Sequence, residues 1–334
     1  MKHKSFMKYI TTGAILLAAA VTFFTGKPTA AHADQLAPEN ITEVTIDQIC
    51  APSGICLLAD GSYLVTDTYN KVVWQVVNTK ATVYAGRLDD TTITDVYGEP
   101  VGGYNDVNRE KSLFLEPWAI VPFKDGYAVS DPDNHQVRII HTKGVQTANI
   151  NAQEIELKLG ERFFSRPTGL AADEQGRVYV ADTNRDCIWR FEESGAAVKV
   201  VEGVIQPTGL AYQNGVLYIC ESGIHRISKL VDGVIVPVAG NTAEGFADGA
   251  AQSAMFSNPQ GVLVDEAGVI YVADTGNSAI RKIADGQVTT LIRNETAALQ
   301  QFPISPRGMA LAQDKLLVCD NFSRKIIALP LTQD

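Results

Sequence analysis

Six acidic residues recur at one offset from a proline, and acids repeated in this way are the first candidates for metal binding or acid–base chemistry. Each acid stands 14 or 15 residues after its proline, and a small residue precedes it. An aspartate in that position can accept hydrogen bonds from the backbone amides of its own turn, so we interpret all six as structural turn residues. They are Asp67, Asp131, Asp182, Glu221, Asp274 and Asp320.

The chain offers two weaker candidates for metal chemistry. Residues 131–134 resemble the start of a calcium loop, but Thr142 stands where such a loop has a glutamate. His135, His141 and His225 have no zinc-like spacing, and we interpret them as exposed turn residues. No phosphate-binding loop, nucleophile elbow or dinucleotide fingerprint occurs in the sequence. The sequence therefore predicts no catalytic residue, no metal site and no cofactor.

Each acid belongs to a repeat of about fifty residues that contains short β-type runs. Apolar residues alternate after the proline and before the acid, and they return six and nine positions after the acid. In the fifth copy the four runs begin at Gly261, Val269, Ala279 and Gln287. Six copies of four strands predict an all-β fold, a six-bladed β-propeller of four-stranded blades.

The two ends of the repeat array predict how the ring closes. The sixth copy stops after its third run, residues 325–329, and a strand-like run at residues 41–46 precedes the first copy. We predict that this N-terminal run completes the last blade, which leaves no long free edge between the ends. The propeller would then occupy residues 34–334 as a single domain.

The repeats resemble those of the NHL family. Residues 271–283 (Tyr-Val-Ala-Asp-Thr-Gly-Asn-Ser-Ala-Ile-Arg-Lys-Ile) are similar to the family signature, as are residues 181–188, and Asn-His-Gln at 134–136 is the nearest match to the tripeptide that names the family. The approach to the proline at residues 245–259, repeated at 103–117 with Gly, Asp, Phe and Pro at identical spacing, is typical of bacterial members. The resemblance implies a propeller, and it leaves function open because such propellers host binding, scaffolding and occasional catalysis.

The resemblance also implies where a ligand would bind. In such propellers the first strand of each blade is innermost, and its entry loop lies on the face usually used for ligands. The residue after each repeated proline varies around the ring, and the next residue is glycine in five of the six copies. A tryptophan at the variable position could stack on a ring or a sugar, and an arginine could hold a carboxylate. The predicted ligand-binding residues are Ser53, Trp118, Thr168, Thr208, Gln260 and Arg307.

Two further repeat positions make predictions about burial. Seven residues after each acid the side chain varies from tryptophan to arginine, serine and isoleucine, which we interpret as a partly exposed strand face. The small residue before the acid is a cysteine in two copies, Cys220 and Cys319, and we expect both thiols to pack between neighbouring sheets. The residues at the first position are Trp74, Arg138, Trp189, Ser228, Arg281 and Ile327.

The longest segment between repeats, residues 87–113, is a candidate cap over the predicted binding face. Long insertions between regular elements are often functional. The alternative is a plain surface loop. The acids and tyrosines that single it out are Asp89, Asp90, Asp95, Tyr97 and Tyr104.

Residues 1–33 have the pattern of a secretory signal peptide. Three lysines in the first eight residues precede an uncharged run at residues 10–24, and Ala31 and Ala33 occupy the positions that a signal peptidase reads. An uncleaved anchor helix is the alternative. The segment holds four of the 28 basic residues and none of the 38 acidic ones, so cleavage changes the net charge from −10 to −14. This charge argues against binding to nucleic acid or to an anionic membrane surface.

These features predict a secreted, non-catalytic binding or scaffold module at the cell envelope, with a protein, peptide or carbohydrate as its partner and no membrane insertion after cleavage. The composition, with 46% hydrophobic and 20% charged residues, is that of an ordinary globular protein. The alternative function is a metal-dependent propeller hydrolase or lyase, similar to lactonases, with an axial site. Such a site needs several carboxylate, Asn or His ligands near the axis, and the six variable positions offer none. Ligand identity, oligomeric state and any pairing among the five cysteines stay open.

Overall fold

The computed structural model describes residues 41–44, 46–88, 102–148, 162–294 and 305–331. Within these ranges the chain folds into six antiparallel sheets arranged in a ring, and its helices are five single-turn 3₁₀ helices. The prediction of an all-β, six-bladed propeller is confirmed. The predicted signal peptide, residues 1–33, lies outside the described residues and stays a prediction.

Each blade is built from consecutive strands, with the first innermost. Blade 1 contains β2 (Pro52–Leu57), β3 (Tyr63–Asp67), β4 (Val72–Val77) and β5 (Lys80–Ala85). Blade 2 contains β6 (Ile120–Phe123), β7 (Gly126–Asp131), β8 (Gln136–His141) and β9 (Gly144–Thr147). Blade 3 contains β10 (Pro167–Ala172), β11 (Val178–Asp182), β12 (Cys187–Phe191) and β13 (Ala197–Glu202). Blade 4 contains β14 (Pro207–Gln213), β15 (Val216–Glu221), β16 (Arg226–Val231) and β17 (Val234–Ala239).

The last two blades each carry a strand from elsewhere in the chain. Blade 5 contains β19 (Gly261–Val264), β20 (Ile270–Asp274), β21 (Ala279–Ala284) and β22 (Gln287–Arg293), with the short β18 (Gly249–Ala250) added at its outer edge. Blade 6 contains β23 (Pro306–Ala312), β24 (Lys315–Asp320), β25 (Lys325–Pro330) and the N-terminal β1 (Thr42–Val44). The 3₁₀ helices are Arg109–Lys111, Pro132–Asn134, Thr183–Arg185, Ser222–Ile224 and Thr275–Asn277.

The core lies between the blades, and strand burial follows from that arrangement. All five residues of β3, β11 and β20, the second strands of their blades, are buried because both faces pack on neighbouring sheets. The outermost strands β13 and β17 expose many of their residues. Cys220 in β15 and Cys319 in β24, the second strands of blades 4 and 6, are both fully buried, as predicted. Burial raises the pKa of both thiols.

The N-terminal strand closes the ring. β1 pairs antiparallel with β25, with Thr42 opposite Ala328 and Val44 opposite Ile326. Val44 also packs against the apolar cluster between blades 6 and 1, and Glu43 forms an ion pair with Lys325. The prediction that the residues before the first repeat complete the last blade is confirmed.

The repeated glycine is required by the close approach of the innermost strands. A Cβ added to Gly261 would lie 2.0 Å from the carbonyl oxygen of Arg307, and one added to Gly169 would lie 1.9 Å from that of Thr208. Such contacts are far inside van der Waals distance, so only glycine fits there without moving the backbone. Blade 2, where Ala119 replaces the glycine, is the exception.

Candidate functional site

The six acids hold the entry segments of the blades. The Asp67 carboxylate accepts backbone N–H bonds from Cys50 at 2.8 Å and Ala51 at 3.0 Å, just before the proline that starts β2. It also accepts the amide of Asn70 within its own turn, at 3.1 Å. Asp131, Asp182, Asp274 and Asp320 bind the equivalent entry amides of their blades, whereas Glu221 pairs with Arg226. These contacts support the structural interpretation of the acids.

The position seven residues after each acid is buried, so the predicted exposed strand face is wrong. The side chain turns back toward its own blade's acid: the Trp74 indole N–H donates to Asp67 at 3.1 Å, and Arg281 donates to Asp274 at 2.8 Å. Trp74, Arg138 and Arg281 are thus different donors to the same kind of buried acceptor. Among the described residues, Trp189 Nε1 and Ser228 Oγ have no hydrogen-bond partner at this position, and Ile327 offers no donor. All six residues are at most 4% exposed: Trp74, Arg138, Trp189, Ser228, Arg281 and Ile327.

Two of these positions form matching arginine cages. Arg281 is fully buried, bonds to Asp248 at 2.5 Å, and lies between the rings of Phe246 and Phe256 at 4.5 and 5.0 Å. Because the two carboxylates and two rings surround the guanidinium, the cage ties the segment before the proline to the sheet.

Arg138 repeats the arrangement in blade 2, and this defines the role of part of the long insertion. Its guanidinium bonds to Asp106 at 2.7 Å and lies over Tyr104 at 4.8 Å and Phe114 at 5.2 Å. Residues 102–113 are therefore held against blade 2. The remaining marked residues of the insertion, Asp89, Asp90, Asp95 and Tyr97, lie outside the described residues, so the proposed cap stays a prediction.

An axial cavity of about 670 Å³ runs inside the ring and is lined by the innermost strands of all six blades. Its wall includes one apolar layer, three residues after each repeated proline. The layer gives a ligand an apolar surface close to the propeller axis. Its members are Ile55, Ile120, Leu170, Leu210, Val262 and Met309.

A cation–π pair lies at the entry end of this cavity. The Arg307 guanidinium lies 4.1 Å from the centre of the Trp118 ring, and its Nη1 donates to Ser53 Oγ at 3.1 Å. Burial lowers the pKa of Arg307 to about 10, and the nearby Glu116 acts in the opposite direction. Among the described residues, no carboxylate lies within ion-pair distance of Arg307. Arg307 is therefore a cation at the entry end of the cavity that no described carboxylate pairs with directly.

Five of the six predicted ligand-binding residues line the cavity: Ser53, Trp118, Thr208, Gln260 and Arg307. Thr168 is not among the residues of the cavity wall. The hydroxyls of Thr168 and Thr208 are occupied: Thr168 bonds to Thr183, and Thr208 bonds to Ser222 at 2.5 Å and to the Pro259 carbonyl at 3.0 Å. The bonds to Thr183 and Ser222 lie within a blade, whereas the bond from Thr208 to the Pro259 carbonyl joins blades 4 and 5. The other four residues come from blades 5, 6, 1 and 2, which are consecutive around the ring.

A cluster that the repeat pattern did not reveal stands beside this entry. Arg166 bonds to Glu116 at 2.9 Å and to Asp133 at 2.7 Å. Burial, followed by a hydrogen bond to Asp133, raises the pKa of Glu116 to about 7. Burial also raises the pKa of Asp133, but hydrogen bonds from Glu116 and Arg166 outweigh this effect, and the net shift of the Asp133 pKa is downward. The two carboxyls therefore differ in pKa, with Glu116 the more readily protonated of the pair.

The remaining candidates for chemistry lie elsewhere. His225 accepts the Asn258 amide at 3.0 Å, His141 accepts the Lys143 amide at 3.3 Å, and His135 contacts the Ser165 carbonyl; none of the three lines the cavity. In the described part of the chain, no group of three or more His, Cys, Asp or Glu side chains is arranged to hold a metal ion. No helix among the described residues is long and apolar enough to cross a membrane.

Six four-stranded blades around an axial cavity define the class of the protein, a six-bladed β-propeller. The NHL repeat family model matches residues 164–191 and 256–283, which span the start of blade 3 and of blade 5. A chicken NHL repeat-containing protein 2 is 34% identical over 103 residues, 28% of this chain and 14% of that protein. The chain is therefore a six-bladed β-propeller that contains NHL repeats.

Longer similarity is found with the Arabidopsis thaliana chloroplastic protein SUPPRESSOR OF QUENCHING 1. The two are 24% identical over 304 residues, which cover 78% of this chain and 27% of that protein. This chain therefore matches only about a quarter of the length of that curated relative and a smaller part of the chicken protein.

Solved structures with the same fold carry different activities. Virginiamycin B lyase from Staphylococcus aureus aligns with a TM-score of 0.57 at 14% identity, over 87% of this chain and 99% of that one. An auxiliary nutrient-binding protein from Bacteroides thetaiotaomicron aligns with a TM-score of 0.59 at 13% identity, over 84% and 69%. A putative gluconolactonase aligns with a TM-score of 0.57 at 10% identity, over 92% and 96%. At these identities the likeness extends to the fold alone.

Proposed function

We propose that this protein is a non-catalytic binding module of the cell envelope, secreted after cleavage of residues 1–33, which holds a peptide, protein segment or carbohydrate at the entry of its axial cavity. The observation that carries the proposal is the Trp118–Arg307 pair, a stacked cation with no carboxylate partner among the described residues. Buried charge without a partner costs stability, and sites that accept such a cost are often used for ligands.

The rest of the entry supports binding. Arg307 is held by Ser53 and by the Trp118 ring, so its guanidinium is fixed before a ligand arrives. The ring of tightly packed innermost strands gives this site a rigid frame. The nutrient-binding protein of the same fold is consistent with a binding role at the envelope.

The binding proposal is tested by following the fate of bound molecules. The purified protein is screened by thermal shift against peptides, oligosaccharides and lactones, and each hit is incubated with the protein and recovered for mass analysis. A binding module returns every hit with its mass unchanged. Conversion of a hit to a product of different mass would overturn the non-catalytic assignment.

Secretion is tested separately. The protein is expressed in a bacterial host from its full coding sequence, and the exported fraction is analysed by intact mass. An intact mass equal to that of residues 34–334 supports the proposal. Recovery of the full chain in the membrane fraction would instead support the uncleaved anchor.

The alternative is a hydrolase or lyase, and one observation favours it. Glu116 holds a proton near neutral pH beside Asp133 and close enough to influence Arg307, which are properties of a general acid. Among described cavity-lining residues, the carboxylates are Asp173 and Glu174, and Asp173 is already bonded to Arg177 at 2.6 Å. An enzyme of this kind would convert a lactone or ester, with or without added divalent ions, and Glu116→Gln would abolish the reaction.

A further inference from the structure

Two polar atoms at the cavity entry are buried and find no hydrogen-bond partner in the part of the chain that the structure describes. They are Arg307 Nε and Gln260 Oε1, on neighbouring blades 6 and 5. The two residues are adjacent around the ring, because the backbone beside Gln260 packs against the Arg307 carbonyl. An unsatisfied buried polar group costs stability, so a ligand that satisfies both atoms gains from both.

The two atoms need different hydrogen-bond partners, one an acceptor and the other a donor. Arg307 Nε donates and lies on the edge of a planar guanidinium, which matches an anionic oxygen and above all a carboxylate. Gln260 Oε1 accepts and therefore needs an N–H or O–H from the ligand. The complementary ligand carries a carboxylate with a hydrogen-bond donor close to it.

The wall beyond the entry adds a third requirement. The apolar layer that contains Ile55, Ile120 and Val262 lies two residues further along the same strands than Ser53, Trp118 and Gln260. Burial of a side chain of leucine or phenylalanine size against this layer favours binding because apolar surface leaves water. A uronic acid offers a carboxylate and donors but a polar body, and a fatty acid lacks the donor.

We propose that the entry of the axial cavity binds the free C-terminus of a peptide whose last residue is apolar. This inference rests on the proposed binding function and names its ligand class. The terminal carboxylate bonds to Arg307, the last amide N–H donates to Gln260, and the last side chain enters the apolar layer. The Trp118 ring stacks on the guanidinium and keeps it in place.

The proposal is tested with a random hexapeptide library carrying free C-termini and the same library carrying C-terminal amides, each selected on the whole protein. Peptides with a free carboxylate and a terminal Leu, Ile, Val or Phe are enriched, and amidation weakens selected peptides at least tenfold. Arg307→Met abolishes selection. The matched control is Arg324→Met, which removes the same charge from an exposed turn of the same blade and leaves binding unchanged.

Gln260 gives an independent readout. Replacing the last amide of a selected peptide by an ester removes its N–H, and wild-type protein binds this depsipeptide about tenfold more weakly than the peptide. In Gln260→Leu the preference disappears, so the two ligands bind equally. A preference that survives in this variant would overturn the role of Gln260 and with it the amide contact.

The outcomes separate this inference from the function on which it rests. Free and amidated peptides that bind equally, with both lost in Arg307→Met, would overturn the carboxylate assignment while the cavity remains the binding site. Selection of oligosaccharides alone, again lost in Arg307→Met, would overturn the peptide assignment in the same way. Binding of every ligand class that is indifferent to Arg307 would overturn the proposed function itself.

Discussion

At the scale of single residues, the acids of this protein stabilise the backbone. Five of them bind the amides that precede the first strand of their blade, and two also pair with a fully buried arginine. Their repetition arises because each blade needs the same entry turn. Single residues that occur in one blade, such as Trp118 and Arg307, are better guides to function.

Asp274→Asn tests this structural role. The substitution keeps the shape of the side chain but removes the charge that faces Arg281 at 2.8 Å, and both groups are fully buried. Breaking a buried ion pair from one side costs about 3 kcal/mol, which we expect in the free energy of unfolding from urea titrations. Asp285→Asn, in an exposed turn of the same blade, is the matched control and should change stability by less than about 0.5 kcal/mol.

A chelator distinguishes the competing interpretation. If Asp274 helped to bind a metal ion, treatment of the wild-type protein with a chelator would lower its stability as much as the substitution does. We expect no such change.

Glu116→Gln tests the carboxyl pair beside the cavity entry through pH. The Glu116 pKa is raised from 4.5 to about 7, so this group destabilises the fold as pH rises from 4.5 to 7, and the full penalty is present above pH 7. Glutamine stays neutral. The variant should match the wild type near pH 4.5 and be more stable at pH 8, by on the order of 2 kcal/mol.

Urea titrations across this pH range provide the measurement, with Glu110→Gln on an exposed segment as the control. Equal pH dependence in wild type and Glu116→Gln would mean that Glu116 titrates in the folded protein as it does in the unfolded chain, and would contradict the raised pKa.

Two features of single residues could not be predicted correctly from the sequence. The varied position after each acid was interpreted as exposed because its residue types share no hydrophobicity; what they share, for Trp74, Arg138 and Arg281, is a donor that reaches the buried acid. The Glu116–Asp133–Arg166 cluster was missed because its members lie in different segments and only the fold brings them together. A charged residue beside the repeated proline, as at positions 116 and 166, was the available signal.

At the scale of elements, the innermost strands set the geometry of the cavity. Their glycines allow each strand to lie against the carbonyl of the next blade, which draws the variable side chains together at the entry. The number of blades and the order of their strands could be predicted from the spacing of the repeated prolines and acids. Which of the six variable positions are free to bind a ligand could not be predicted in this way, because the hydroxyls of Thr168 and Thr208 are occupied by bonds to Thr183 and Ser222 that no spacing reveals.

Gly261→Ala tests the close approach of the inner strands. The new Cβ would lie 2.0 Å from the Arg307 carbonyl oxygen, so the backbone must move, and we expect a loss of about 3 kcal/mol in thermal or urea unfolding. The reverse substitution at the equivalent site of blade 2, Ala119→Gly, should cost no more than about 1 kcal/mol. Similar costs at the two sites would show that crowding does not explain the glycine.

At the scale of the whole molecule, the ring depends on one short strand. β1 is three residues long and joins the beginning of the described chain to its last blade. The strand was predictable because the sixth repeat lacked a fourth run and the residues before the first repeat supplied one. Its register was not, since three residues of alternating type fit β25 in several ways.

A chain that starts at residue 46 tests this closure against one that starts at residue 41. Without β1 the edge of β25 is open, and the contacts of Val44 with the cluster between blades 6 and 1 are lost. We expect a lower melting temperature and concentration-dependent light scattering, because an open strand edge pairs with other chains. Identical melting and scattering would mean that the ring is held by the other blade contacts alone.

Calorimetric titration of Trp118→Ala/Arg307→Ala tests most directly whether the cavity entry formed by Trp118 and Arg307 is the ligand-binding site. The ligand is whichever peptide or oligosaccharide the thermal-shift screen selects. We expect the variant to fold with the circular dichroism spectrum of the wild type and to bind this ligand at least tenfold more weakly. Unchanged affinity in the folded double variant would contradict this assignment and direct the search to the insertion at residues 87–113.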